Sequence, residues 1–159
     1  MLKPHQTRVL FLDFDGVLHA PKAIAGAKPP LTPRQIQQGW PQTFEHLPVL
    51  QTLLEGHSEI AVVVSSSWRL YLGEDELIEL LDPISRWFAG AVQKGSRDDA
   101  IKEWLKLHPD IDYVILDDVA KFFPGKWPRL ILCNSALGLS DPVVQAKLQH
   151  WIIHDHVLR

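Results

Sequence analysis

Four clusters of reactive side chains stand out in the chain. Asp13-Phe14-Asp15-Gly16 sets two carboxylates two residues apart. Residues at that spacing on an extended segment point to one side, so both acids can reach one group. Close carboxylates repel, and their site is favourable chiefly around a cation. An Asx-turn closing a strand would explain one acid but not the pair. Gly16 then permits a tight turn. Ser65-Ser66-Ser67-Trp68-Arg69 offers a hydroxyl followed by backbone N–H groups, which suits a phosphate oxygen. Three serines also make an ordinary turn or helix cap. Arg69 has the fork to bind an anion bidentately, or to pair with a surface acid. Asp117-Asp118 places adjacent acids after an apolar run. Lys94-Gly95-Ser96-Arg97 precedes a helical pattern. A cation at a helix N-terminus opposes the macrodipole, so either an anion draws it there or it is simply solvated.

These clusters need elements to hold them. Val9–Asp13, Ile60–Ser65, Tyr113–Leu116 and Leu130–Cys133 are continuous apolar runs of strand length. Helical spacing of apolar residues covers His46–Glu55, Glu74–Leu81 and Asp98–Leu107, and resumes from Asp141-Pro142. Ser96 and Asp99 have the spacing of a capping box. Strands alternating with helices predict a mostly parallel sheet. Ligands of such sheets bind outside the carboxyl ends of the strands, and Asp13, Ser65 and Asp117-Asp118 all fall there. Residues 17–44 follow neither period and hold Pro21, Pro29, Pro30, Pro33 and Pro41. We read them as an irregular excursion, either a flap over the site or a plain surface loop. Thr32-Pro33-Arg34 within it is expected to start a short helical turn.

The composition fits one globular domain spanning residues 1–159. Of its 159 residues, 46% are hydrophobic and 22% charged, ordinary globular usage that argues against disorder. A net charge of -3 argues against a globally basic nucleic-acid binder. The single cysteine, Cys133, excludes an internal disulfide and a Cys-rich zinc site. The apolar runs are too short to span a membrane, and the first residues lack the hydrophobic core of a signal peptide. A cytoplasmic location is the expectation.

Together the clusters resemble the haloacid dehalogenase (HAD) superfamily of phosphohydrolases, over residues 9 to about 150. Ser66-Ser67-Trp68-Arg69, Ile101 with Trp104-Leu105, and Gly138-Leu139-Ser140 resemble the HAD group of Swiss Army Knife RNA-repair proteins. The resemblance implies a Rossmann-like three-layer α/β/α sandwich, without a large cap or with a minimal flap. It also implies a Mg²⁺-dependent phosphatase. Asp13 would be the nucleophile that forms an aspartyl-phosphate, and Asp15 the general acid and base. Ser65, and the backbone of Ser66, would bind the phosphoryl group. The metal would lie among Asp13, Asp15 through its carbonyl, and the pair Asp117 and Asp118, with Asp118 favoured as direct ligand. Lys94 and Arg97 both qualify as the phosphate-stabilising cation, the first by type and the second by spacing.

The 49 residues between Asp15 and Ser65 leave little room for a cap. An open site suits a phosphorylated macromolecule, such as a nucleic-acid end, as well as a small ester. The oligomeric state stays open. Two other classes compete: a phospho-accepting switch of the receiver kind, and a degenerate phosphate-binding module of a repair complex. His19, close after the acid pair, could touch substrate. His150, His154, Asp155 and His156 are read as a polar helix end rather than a metal site. Trp87, Trp104 and Trp151 are expected in the core. Trp68 either stacks a base or packs under its loop.

Overall fold

The structure is a computed structural model. It describes residues 1–28 and 30–155, with the side chains of 154 and 155 outside the description. The histidine-rich end therefore lies largely outside the described residues, as does Pro29.

Five parallel strands form one sheet: β1 (Arg8–Leu12), β2 (Ile60–Val64), β3 (Phe88–Ala91), β4 (Asp112–Asp117) and β5 (Leu130–Leu132). Their order is β3-β2-β1-β4-β5. The helices are α1 (Pro33–Gly39), α2 (Leu47–Leu54), α3 (Glu74–Leu80), α4 (Arg97–Leu107) and α5 (Pro142–His150). Strand alternation separates two cores. Leu10, Leu12, Val62, Val64, Val114 and Leu116 pack with buried residues of α2, α3 and α5. Val9, Phe11, Ala61, Val63 and Ile115 pack with Ala100 and Ile101 of α4. This is the expected Rossmann-like three-layer arrangement.

The chain runs outward from β1 through β2 to β3, then returns to the other side of β1 as β4. The order reverses between β1 and β4, and a crevice opens at such a switch point. Register makes that crevice level: Leu12 is opposite both Val64 and Leu116. Asp13, Ser65 and Asp117 therefore end neighbouring strands on one rung.

At the other end of the sheet, Arg8 and Asp112 are cross-strand partners, 2.8 Å apart and both buried. Arg8 also donates to the carbonyls of Trp151 and Ile152, just beyond α5. Its guanidinium lies 4.2 Å from the centre of the Trp151 ring. The chain after α5 is thereby fastened to the central strand, far from the crevice.

Several expectations are corrected. The four strand-sized runs form strands, but β3 was not anticipated. Its sequence, Phe-Ala-Gly-Ala, has weak strand propensity, and it is held by pairing with β2 at the sheet edge. Ser96 caps α4 without the expected box: its hydroxyl donates to Asp99 Oδ2 instead. Residues 17–44, left open between a flap and a plain loop, carry local structure among their described residues. Thr32 and Gln35 make a capping box for α1, Ile36 and Phe44 are buried, and Trp40 donates to the Ala25 carbonyl. Trp87 and Trp151 are core residues as expected, whereas Trp104 is half-buried and stacks on His108.

Candidate active site

Asp13, on the first position past β1, is almost fully buried. Its carboxylate lies among Asp117 and Asp118, with one oxygen of each within 4.8 Å of the others. Burial, then repulsion from Asp117 and Asp118, push Asp13 well above the usual carboxylate range, and Arg97 opposes this only in part. Burial also raises Asp117, against the pull of Arg97 and of the Val119 N–H.

Arg97 opens α4 and faces inward, 2.8 Å from Asp117 Oδ2 and 3.4 Å from Asp13 Oδ2. These are the anions that draw a cation to a helix N-terminus. Its guanidinium also lies 4.7 Å from the centre of the Phe122 ring. Lys94 is exposed and lies outside this cluster. Of the two candidate cations, the structure brings Arg97 to the acids.

The two adjacent acids separate by task. Asp117 Oδ1 accepts the backbone N–H groups of Asp118 and Val119, while Oδ2 takes Arg97. Asp118 spends Oδ2 on the Ser135 hydroxyl, 2.8 Å away. Ser135 was missed by sequence reasoning, since a lone serine after a strand carries no signal. Gly16 has φ +80, and a Cβ there would collide with the Asp118 carboxylate. Glycine is thus required both by backbone conformation and by the approach of the second acid. Gly16→Ala is expected to displace Asp118 and to lower turnover about 10²-fold, as misplacement of a reacting geometry does. Steady-state kinetics on a variant shown to be folded would check this. Unchanged turnover would mean that the position of Asp118 is immaterial.

Asp15 points away from the metal-type cluster. Its Oδ1 lies 2.7 Å from His19 Nε2, and its Oδ2 accepts the Trp68 indole N–H at 3.0 Å. The Phe44 N–H donates to His19 Nδ1 at 3.2 Å. That bond assigns the ring proton to Nε2, so His19 donates to Asp15. Burial pushes the Asp15 carboxyl up, but the hydrogen bonds of His19 and Trp68 outweigh it and hold it below its usual range. His19 is fully buried, so it supports Asp15 rather than meeting substrate. Trp68 also packs against Phe14 and Phe44, with ring centres 5.4 and 5.3 Å apart.

Ser65 and Ser66 are fully buried. The Ser66 hydroxyl accepts the Trp68 N–H and caps the turn Ser67–Leu70. Arg69, read from the sequence as either an anion binder or the partner of a surface acid, has backbone partners in this structure. It donates to the carbonyls of Ser65, Ser66, Gln93 and Gly95 at 2.9–3.1 Å. Those bonds tie the turn after β2 to the one before α4, and so place Ser65 relative to Arg97. Cys133, beside the acids, is a buried thiol pushed up to about 12, first by burial and then by the nearby carboxylates. It stays protonated and unreactive.

Three buried polar atoms at the site have no hydrogen-bond partner: Asp13 Oδ2, the Ser65 hydroxyl and Arg97 Nε. An orphaned acceptor beside orphaned donors, under repelling acids, fits a divalent cation and an oxyanion together. The oxygen-only donor set suits a hard ion such as Mg²⁺.

No helix among the described residues is long and apolar enough to cross a membrane. No solved structure matches the chain at a significant level. Among curated proteins, the bifunctional arginine dihydrolase/ornithine cyclodeaminase ArgZ of Synechocystis sp. is 32% identical over 68 residues. That match covers 42% of this chain and 10% of the Synechocystis protein. The chain thus corresponds to a small part of that relative. The family model for the HAD domain in Swiss Army Knife RNA repair proteins matches residues 9–144, from the strand that delivers Asp13 into α5. With the parallel sheet and its reversal at β1 in place, that match shows that the chain belongs to this HAD domain family.

Proposed function

We propose that the protein is a Mg²⁺-dependent phosphohydrolase working through an aspartyl-phosphate on Asp13. Family membership points to phosphatase-type hydrolysis. The observation that carries the finer reading is the buried Asp13 carboxylate, 3.4 Å from a buried arginine and with one oxygen that accepts no hydrogen bond, on a strand edge where the buried Ser65 hydroxyl also lacks a partner. Asp13 and Asp118, with the Asp15 carbonyl, would hold Mg²⁺, which supplies charge neutralisation at the phosphoryl oxygens. Asp117 orients Arg97 and the loop.

An Asp13 carboxylate oxygen attacks phosphorus, and the bond to the leaving oxygen breaks. Arg97 and the Ser65 hydroxyl stabilise the charge on the phosphoryl oxygens. Asp15 gives a proton to the leaving oxygen and recovers one from the water that hydrolyses the acyl phosphate, releasing phosphate and free Asp13. Its hydrogen bonds to His19 and Trp68 favour the carboxylate, so they assist the second step, in which it takes the water's proton, and oppose the first, which draws on the minor protonated form that the second step regenerates. The RNA-repair setting of the family makes a nucleic-acid terminal phosphate the first macromolecular substrate to assay.

Hydrolysis of a generic phosphomonoester tests the reading. Turnover with Mg²⁺ that stops in excess chelator is expected, and turnover unaffected by chelator would remove the metal from the account. Protein unfolding supplies a second readout. Asp13 and Asp117 are raised in the folded chain from an unfolded value of about 3.9. Their contribution to stability is present below that value and is lost as pH rises through the folded values. Mg²⁺ replaces the missing protons, so it should raise Tm more at neutral pH than near pH ~5. The depressed Asp15 is ionised in both states across that window and adds no slope. An equal Mg²⁺ effect at both pH values would contradict the assignment.

A further inference from the structure

Beside the proposed phosphoryl site lies a cleft of about 180 Å³. Ile24, Ala27, Leu31 and Ile36 line it from the 17–44 excursion, and Trp68 and Tyr71 from the turn after β2. Asp15 is also part of its wall. The Asp15 side chain is 37% exposed, whereas that of Asp13 is 3% exposed. Of the two acids, it is the proton-transferring one that opens outward.

Reaction geometry says what should sit there. The attacking and leaving oxygens lie roughly in line across phosphorus. With Asp13 attacking, the leaving oxygen must lie within reach of Asp15, and whatever it carries continues past Asp15. We infer that this cleft receives the leaving-group half of the substrate and selects a flat, apolar ring. The substrates would then be phosphomonoesters of ring-bearing alcohols, either aryl-bearing alcohols or nucleosides. This rests on the phosphatase reading above.

Three features favour a ring. The walls are mostly apolar, and Trp68 is preset by its bond to Asp15 and its contacts with Phe14 and Phe44. Tyr71 presents a second aromatic face and is 54% exposed, an exposure that a stacked ligand would relieve. The cleft is also smaller than the ~300–1,000 Å³ of pockets that enclose whole ligands, so it suits one moiety. Few polar groups line it: the Trp68 N–H is already spent, leaving Asp15, Ser67 and the Tyr71 hydroxyl. Selection by stacking, with weak discrimination among bases, follows.

Matched substrates test this. AMP and ribose 5-phosphate share an ester and differ by a base. Benzyl phosphate and methyl phosphate differ by a phenyl ring. The ring-bearing member of at least one pair should show kcat/KM about tenfold or more higher, and Ala27→Trp, which fills the cleft, should collapse that ratio. A 5′-phosphorylated trinucleotide compared with AMP then distinguishes a chain end from a free nucleotide. Binding is read separately: adenosine or benzyl alcohol should quench tryptophan fluorescence in the wild type, and not in Trp68→Phe. Quenching without hydrolysis of any ester would sink the phosphatase reading and leave the cleft standing. Hydrolysis with equal kcat/KM within both pairs, unaltered by Ala27→Trp, would overturn the cleft assignment and leave the phosphatase reading standing.

Discussion

Asp13→Asn is expected to lose about 10⁴-fold or more of the phosphatase turnover, the scale seen when a nucleophile is removed. The amide matches the carboxylate in shape but cannot attack phosphorus. The same substitution should raise the thermal stability of the metal-free protein. Asp13 is buried against Asp117 and Asp118, and its raised pKa reports that the charge is unwelcome there. A neutral side chain removes that repulsion. Loss of turnover together with a higher Tm is a signature that unfolding cannot mimic. Turnover near the wild-type level would end the nucleophile assignment.

Arg97→Ala should cost about 10²–10³-fold in kcat, the range for loss of a preorganised electrostatic donor. It should also lower Tm, because Asp117 and Asp13 would keep their buried charge without its counter-ion. Arg97→Lys should restore stability better than turnover. An ammonium is a point charge and cannot reproduce the planar fork that meets Asp117 while leaving Nε for a phosphate oxygen. Lys94→Ala, on an exposed side chain outside the cluster, should leave kinetics close to wild type. If Lys94→Ala were the damaging change and Arg97→Ala the silent one, the electrostatic account would be reversed.

The acids were legible in the sequence because of where they fall. Asp13, Asp15, Ser65 and the Asp117-Asp118 pair each follow an apolar run, and a parallel sheet must bring such ends together. The cation was legible only to within two candidates. Position 97 is the first residue of α4, whereas Lys94 stands in the exposed turn before it, and only the folded turn decides which one faces inward. Arg69 stayed two-sided because a buried arginine and a ligand-binding arginine look alike in a string. Its partners are carbonyls from two separate turns, which no local pattern reports. His19 was noticed for its nearness to the acid pair, but its role depends on the Phe44 N–H, from the far end of the excursion. The cleft was invisible for the same reason. One of its walls belongs to a proline-rich segment without periodicity, whose inward face shows only once α1 is packed against the turn after β2.

The central claim is that phosphoryl transfer passes through Asp13. Acid quenching during steady-state turnover, followed by peptide mass mapping, tests it most directly. The account predicts a phosphoryl group on Asp13, absent when substrate or Mg²⁺ is withheld and absent in Asp13→Asn. Rapid phosphate release with Asp13 unmodified at every quench time, and with Asp13→Asn still active, would contradict it.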